Sequence, residues 1–78
     1  MISYEQRTIL MQLVAVYDER LRELSEREVY YEFVNNYDSF DEEYDSFRSK
    51  NDMIVLLLNS YRRKLMKTPL NKLEEMLN

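Results

Sequence analysis

Not one of the chain's 78 residues is glycine, and only one is proline. Tight hairpin turns need residues that accept positive φ, for which glycine is the default supplier. Only Asn and Asp remain here to fill that role. A helix makes no such demand on its interior, so the chain is expected to be all-α. Length bounds the answer further, because a chain this short buries only roughly 60% of the surface its unfolded form exposes. The expectation is one domain over 1–78, a small compact bundle of three to five helices that a partner or a second copy would help to stabilise.

Apolar spacing and capping residues place the helices. Ser3 and Gln6 have the spacing of a capping box, and Leu10, Leu13, Val14, Tyr17, Leu21 and Leu24 then recur at three and four residues. This predicts a first helix over about 4–24. Ser25 with Glu28 repeats the pattern, compatible with a restart there or with a continuing helix. Ser39 and Glu42 form a third such pair, just after Asn35-Asn36-Tyr37-Asp38-Ser39, whose side chains compete with the helical backbone for hydrogen bonds. A break is expected at 36–38. Ser49 or Asn51 then opens a helix through Lys67, and its Met53–Leu58 run is apolar on nearly every side, as in central or interfacial helices. Thr68 and Pro69 read as N-cap and first position of a short last helix with Leu70, Leu73, Met76 and Leu77 on one face. Arg62, Arg63, Lys64 and Lys67 fall in the preceding last turns, where they complement the helix dipole.

A second periodicity competes with the break. Tyr30, Phe33, Tyr37, Phe40, Tyr44, Phe47, Asn51, Ile54, Leu58, Tyr61 and Leu65 alternate steps of three and four, a heptad series with one polar member. Within it Tyr37-Asp38-Ser39-Phe40 recurs as Tyr44-Asp45-Ser46-Phe47. On a continuous helix both Tyr and both Phe would share one stripe.

Charge is distributed as unevenly as the aromatic rings. Residues 28–47 hold seven of the fifteen carboxylates and seven of the ten aromatic residues, with no Lys or Arg. Beyond them the sign reverses: Arg48, Lys50, Arg62, Arg63, Lys64, Lys67 and Lys72 face only Asp52, Glu74 and Glu75. Solvated carboxylates keep a small apolar domain soluble, but seven of them without a basic neighbour also repel one another. The basic stretch is expected either to fold back on the acidic one or to leave it for a partner.

Several classes of function are disfavoured. The chain has no His and no Cys, so the commonest general base, the strongest nucleophile and any thiolate zinc site are missing, as is a glycine-rich phosphate loop. No catalytic residue, metal or cofactor is expected, and the protein is read as non-enzymatic. Glu28 with Glu32, and Asp41 with Asp45, stand at i, i+4 as a dyad would, yet two carboxylates on one helix hold a hard cation weakly. Asp41, Glu43, Asp45 and Asp52 match positions 1, 3, 5 and 12 of a calcium loop, but Ser46 replaces the turn-forming glycine and Asp52 the bidentate glutamate. The longest apolar run has six residues, against the roughly 20 of a membrane span, and no charged leader precedes one, so the chain is expected to be cytoplasmic. A net charge of −4 disfavours direct nucleic-acid binding.

What remains is binding to protein. Rings at helical spacing belong first to a core, but Tyr31 is out of phase with the stripe, and tyrosine tolerates a wet boundary. Aromatic residues beside carboxylates suit an interface with a basic target. The expected site is Glu28, Tyr31, Glu32, Asp38, Asp41, Glu42, Glu43, Tyr44 and Asp45, presented to the basic groove of a nucleic-acid-handling protein. In size and composition the chain is similar to small acidic phage and mobile-element inhibitors, of the anti-CRISPR or anti-restriction type, which imitate nucleic-acid charge. The rival expectation is a homo-oligomeric structural or assembly protein, a homodimer being the smallest case, that uses the heptad stripe and residues 53–58. DNA binding through Arg62–Lys72 ranks below both, because Glu74 and Glu75 stand where a reading helix would want phosphate donors.

Overall fold

Three serines open the three longest helices, and they do so in one conformation. Ser3, Ser25 and Ser49 have φ of −73°, −69° and −71° with ψ of 166°, 163° and 163°, and each side chain accepts the backbone N–H three residues on. Gln6 and Glu28 return the bond to the cap backbone, completing two capping boxes. The structure, a computed structural model, describes residues 3–77. Their elements are α1 (Tyr4–Glu23), α2 (Glu26–Asn36), α3 (Glu42–Asp45), α4 (Lys50–Met66) and α5 (Leu70–Leu77), with no strand among the described residues. Ser25 is therefore a restart, Ser49 rather than Asn51 caps α4, and the chain is all-α as its missing glycine predicts.

The lack of glycine also shapes how helices end. Among the described residues none has positive φ, so the left-handed cap that closes many helices is not used. Extended residues stop α1 and α2 instead: Leu24 at φ −77°, ψ 155° and Tyr37 at φ −86°, ψ 112°. Carbonyls orphaned at those ends find lysines from α4. Lys50 Nζ donates to Arg22 O at 3.1 Å, and Lys64 Nζ donates to Asn36 O at 3.5 Å. Each brings a positive charge to the negative end of a helix dipole. Lys64 lies in the last turn of α4 as expected and also serves the end of α2.

Two capping expectations are corrected. Asp41, in extended backbone, caps α3 by accepting the Glu43 N–H at 2.9 Å, whereas Ser39 lies in the preceding turn with Phe40 packed inward between them. Thr68 does not cap α5. Its Oγ1 donates back to Lys64 O at 2.9 Å, finishing α4, and the Pro69 carbonyl accepts from Lys72 and Leu73 at 3.0 and 3.1 Å, one position before the first helical residue.

Helix α4 is the centre of the fold, packed against α1 and α2, while α5 packs on α1. Leu10 lies with Leu65 at one end and Leu21 with Met53, Ile54 and Leu57 at the other, so α1 and α4 are antiparallel. These contacts define two core clusters. One joins Leu21, Val29, Phe33, Met53, Ile54 and Leu57; the other joins Leu10, Leu13, Val14, Leu65 and Leu73, and Leu58 packs against both. The 53–58 run is largely spent inside the chain: Met53, Ile54 and Leu57 are buried, and only Val55 of the six is exposed. The molecule measures 37 × 23 × 15 Å. No helix among the described residues is long and apolar enough to cross a membrane.

Candidate functional site

The two Tyr-Asp-Ser-Phe copies fold in opposite ways. In the first, Tyr37 stacks on Phe33 with centroids 4.7 Å apart, and Phe40 meets Phe33 edge-on at 5.6 Å. Its acid, Asp38, stays in solvent with Lys64 Nζ at 3.5 Å. In the second copy the aromatics are outside, Tyr44 being 73% and Phe47 92% exposed, while Asp45 is only 4% exposed. The break expected at 36–38 is present, α2 ending at Asn36, and the shared stripe that a continuous helix would have formed is absent. The physical reason is the break between the copies: Tyr37 (φ −86°, ψ 112°) and Asp41 (φ −128°, ψ 114°) are extended, so the helical register does not carry from Tyr37 and Phe40 to Tyr44 and Phe47.

Asp45 holds this second copy in shape. Its Oδ2 accepts the Asp41 N–H at 2.8 Å and its Oδ1 accepts Arg48 Nε at 2.5 Å, while the Ser46 hydroxyl donates to Glu42 O. One carboxylate thus ties both flanks of α3 together. The Arg48 hydrogen bond, and then the Asp41 N–H, hold the Asp45 carboxyl below the usual carboxylate range against an opposing effect of burial. Arg48 is raised in turn, first by the same hydrogen bond.

Because the folded pKa is depressed, this contribution to stability is fully present above the unfolded carboxylate pKa, about 3.9. It is lost as pH falls through the lower folded value. The Asp41 amide resonance is expected to titrate with a midpoint below that of a free aspartate; a midpoint at or above it would mean that Asp45 is not the fastening.

The other sequence-predicted residues divide by what they touch. Glu28 is the third residue of the α2 capping box, and its bond from the Ser25 N–H lowers its pKa. Glu32 is half-buried and accepts from Tyr17 Oη and Asn36 Nδ2, both at 2.9 Å. Tyr31 is half-exposed under the Arg27 guanidinium, 5.8 Å from its ring centre. Glu28, Glu32 and Tyr31 thus lie on α2, occupied by helix and core neighbours. Asp41 and Asp45 build α3. Glu42 and Glu43 are left exposed, and neither belongs to an ion pair among the described residues. Among the described residues the basic stretch folds back on an acid of the acidic one at Asp38–Lys64, while Asp45–Arg48 is a local pair three residues apart.

What the structure brings together is Glu42, Glu43, Tyr44 and Phe47 on one stapled projection. Phe47 is the member that sequence reasoning assigned to the core. The signal against that assignment was Ser49 with Asp52, an N-cap spacing only two residues beyond Phe47. The calcium-loop residues do not converge: Asp45 is held by Arg48, and Asp52 lies in the first turn of α4. Among the described residues no three carboxylates are placed to hold one ion. No family model, curated protein or solved structure matches the chain.

Proposed function

We propose that the chain is a non-enzymatic binding protein that docks the 41–47 projection onto a basic protein surface. One observation carries this reading: Phe47 and Tyr44 stand in solvent on the same short segment as Glu42 and Glu43, which have no ion pair among the described residues, and Asp45 fastens that segment by hydrogen bonds to Asp41 and Arg48. A ring this exposed buries little in the folded monomer, whereas at an interface aromatic side chains are enriched among the anchors. Fixing the segment beforehand lowers the ordering cost of association. The flanking carboxylates would steer encounter with Lys and Arg. A nucleic-acid-handling protein is the partner class whose grooves carry such a charge. Occupying its groove in place of nucleic acid makes the chain an inhibitor by mimicry, a role suited to phage or mobile-element proteins.

The test begins with capture of the tagged chain's partner from host lysate, identified by mass spectrometry, and continues with calorimetry on the purified pair. Changing Glu42 and Glu43 to Gln spares the Asp41 and Asp45 bonds, so helicity should hold. Exposed ion pairs contribute about 0.2–1 kcal/mol each, so the double change is expected to weaken binding by roughly 2- to 30-fold and to flatten its salt dependence. Unchanged affinity with an unchanged salt slope would reject the electrostatic part of the reading. A partner with an acidic surface would reject all of it.

A further inference from the structure

A cavity of about 300 Å³ opens where α1, α2 and α4 converge, lined by none of residues 41–47. Its apolar lining is Leu57 with the rings of Tyr17 and Tyr61, which meet edge-on with centroids 4.8 Å apart. Its charged lining is Arg20 from α1, Lys64 from α4 and Glu32 from α2. The size is at the lower end for small-molecule pockets, which pair an apolar wall with a few convergent polar groups.

The polar groups are unevenly committed. Glu32 receives Tyr17 Oη and Asn36 Nδ2 on the same oxygen, Oε1, so its second oxygen keeps its acceptor capacity. Arg20 belongs to no ion pair among the described residues. Lys64 has only long contacts, 3.5 Å to Asn36 O and 3.5 Å to Asp38. Tyr17 and Tyr61 have raised pKa values, chiefly through burial, and stay as neutral phenols at physiological pH. The pocket therefore offers one cation outside any ion pair among the described residues, a second held only by two long contacts, and one acceptor, each from a different helix.

We propose that this pocket binds a phosphate monoester of a small hydroxylated molecule, the phosphate bridging Arg20 and Lys64 and a hydroxyl donating to Glu32. A carboxylate is best matched by two parallel donors of one arginine. A tetrahedral dianion with three acceptor oxygens can take donors from two directions, which suits cations supplied by two helices. Glu32 disfavours a bare anion by repulsion and rewards one that brings a hydroxyl hydrogen.

Amide-shift titrations of the full chain with inorganic phosphate, ribose 5-phosphate and adenosine monophosphate test this. Ribose 5-phosphate is expected to saturate, with shifts centred on Tyr17, Arg20, Glu32, Asn36, Tyr61 and Lys64, and to bind more tightly than inorganic phosphate. Tighter binding of the nucleotide would assign the source as nucleotides, and equal or weaker binding as sugar phosphates. Arg20→Gln and Lys64→Gln should each weaken binding by about tenfold or more, as loss of a charge-assisted hydrogen bond does. Far-ultraviolet dichroism of Arg20→Gln should match the parent, since that side chain is exposed and in no ion pair among the described residues; for Lys64→Gln, which gives up the contact to Asn36 O, the same spectrum checks that α2 is retained. The proposal is overturned by shifts that never saturate, by saturation at another surface, or by affinity that both variants retain while folded.

Discussion

Phe33→Ala is expected to remove most of the chain's stability. The ring is fully buried, stacked on Tyr37 and edge-on to Phe40, and it belongs to the larger core cluster. Truncating a buried Phe costs about 3–5 kcal/mol, combining lost transfer energy with the cavity left behind. A 78-residue chain has only about 4–12 kcal/mol in total at the usual yield per residue. Thermal unfolding followed by circular dichroism should show a midpoint lower by roughly 12–40 °C, or no cooperative transition at all. The cluster also includes Val29, Met53, Ile54 and Leu57, so α2 should detach from α4 as well as losing its own order. A shift of only a few degrees would mean that the α2–α4 seam is not where stability resides.

Phe47→Ala is expected to do the reverse. With the ring 92% exposed, its removal should alter unfolding free energy by no more than about 0.5 kcal/mol, the usual range for surface changes. If Phe47 anchors a partner, affinity should fall by about 2 kcal/mol or more, near 30-fold. Calorimetric titration of the captured partner against parent and variant, with melting curves of both, separates the two effects. Loss of stability without loss of affinity would return Phe47 to a structural role. Comparison with Phe33 makes the pair informative, since the same chemical truncation is placed at the two extremes of exposure in one chain.

Local chemistry was the most legible part of this sequence. The Ser3-x-x-Gln6 pair located the start of α1, Ser25-x-x-Glu28 offered a restart that the structure takes, and Ser39-x-x-Glu42 missed its helix by two residues, while the missing glycine pointed away from hairpins. The centrality of 53–58 followed from having no polar face to expose. The 37–47 segment was harder because two signals conflicted. Heptad spacing there records which residues recur, but not whether the backbone stays helical between them, and the extended Tyr37 and Asp41 interrupt it. Asp45 shows the remaining limit: its bonds to Asp41 and Arg48 exist only once α3 has turned, so as a sequence position it resembled Glu42 and Glu43. The three-helix cavity was similarly hidden, since Tyr17, Glu32 and Tyr61 meet only through tertiary packing.

A backbone whose described residues never enter positive φ makes the chain a transparent substrate for saturation mutagenesis. In most proteins a set of intolerant sites reflects glycines that no side chain can replace, and these mask sites kept for activity. Here that class of intolerance is missing from residues 3–77. Every position that resists substitution must do so through packing, a cap, a charge contact or a task. Subtracting the first three from a fitness map is straightforward, because the buried residues and caps are known. Exposed positions that still resist change would outline the working surface directly.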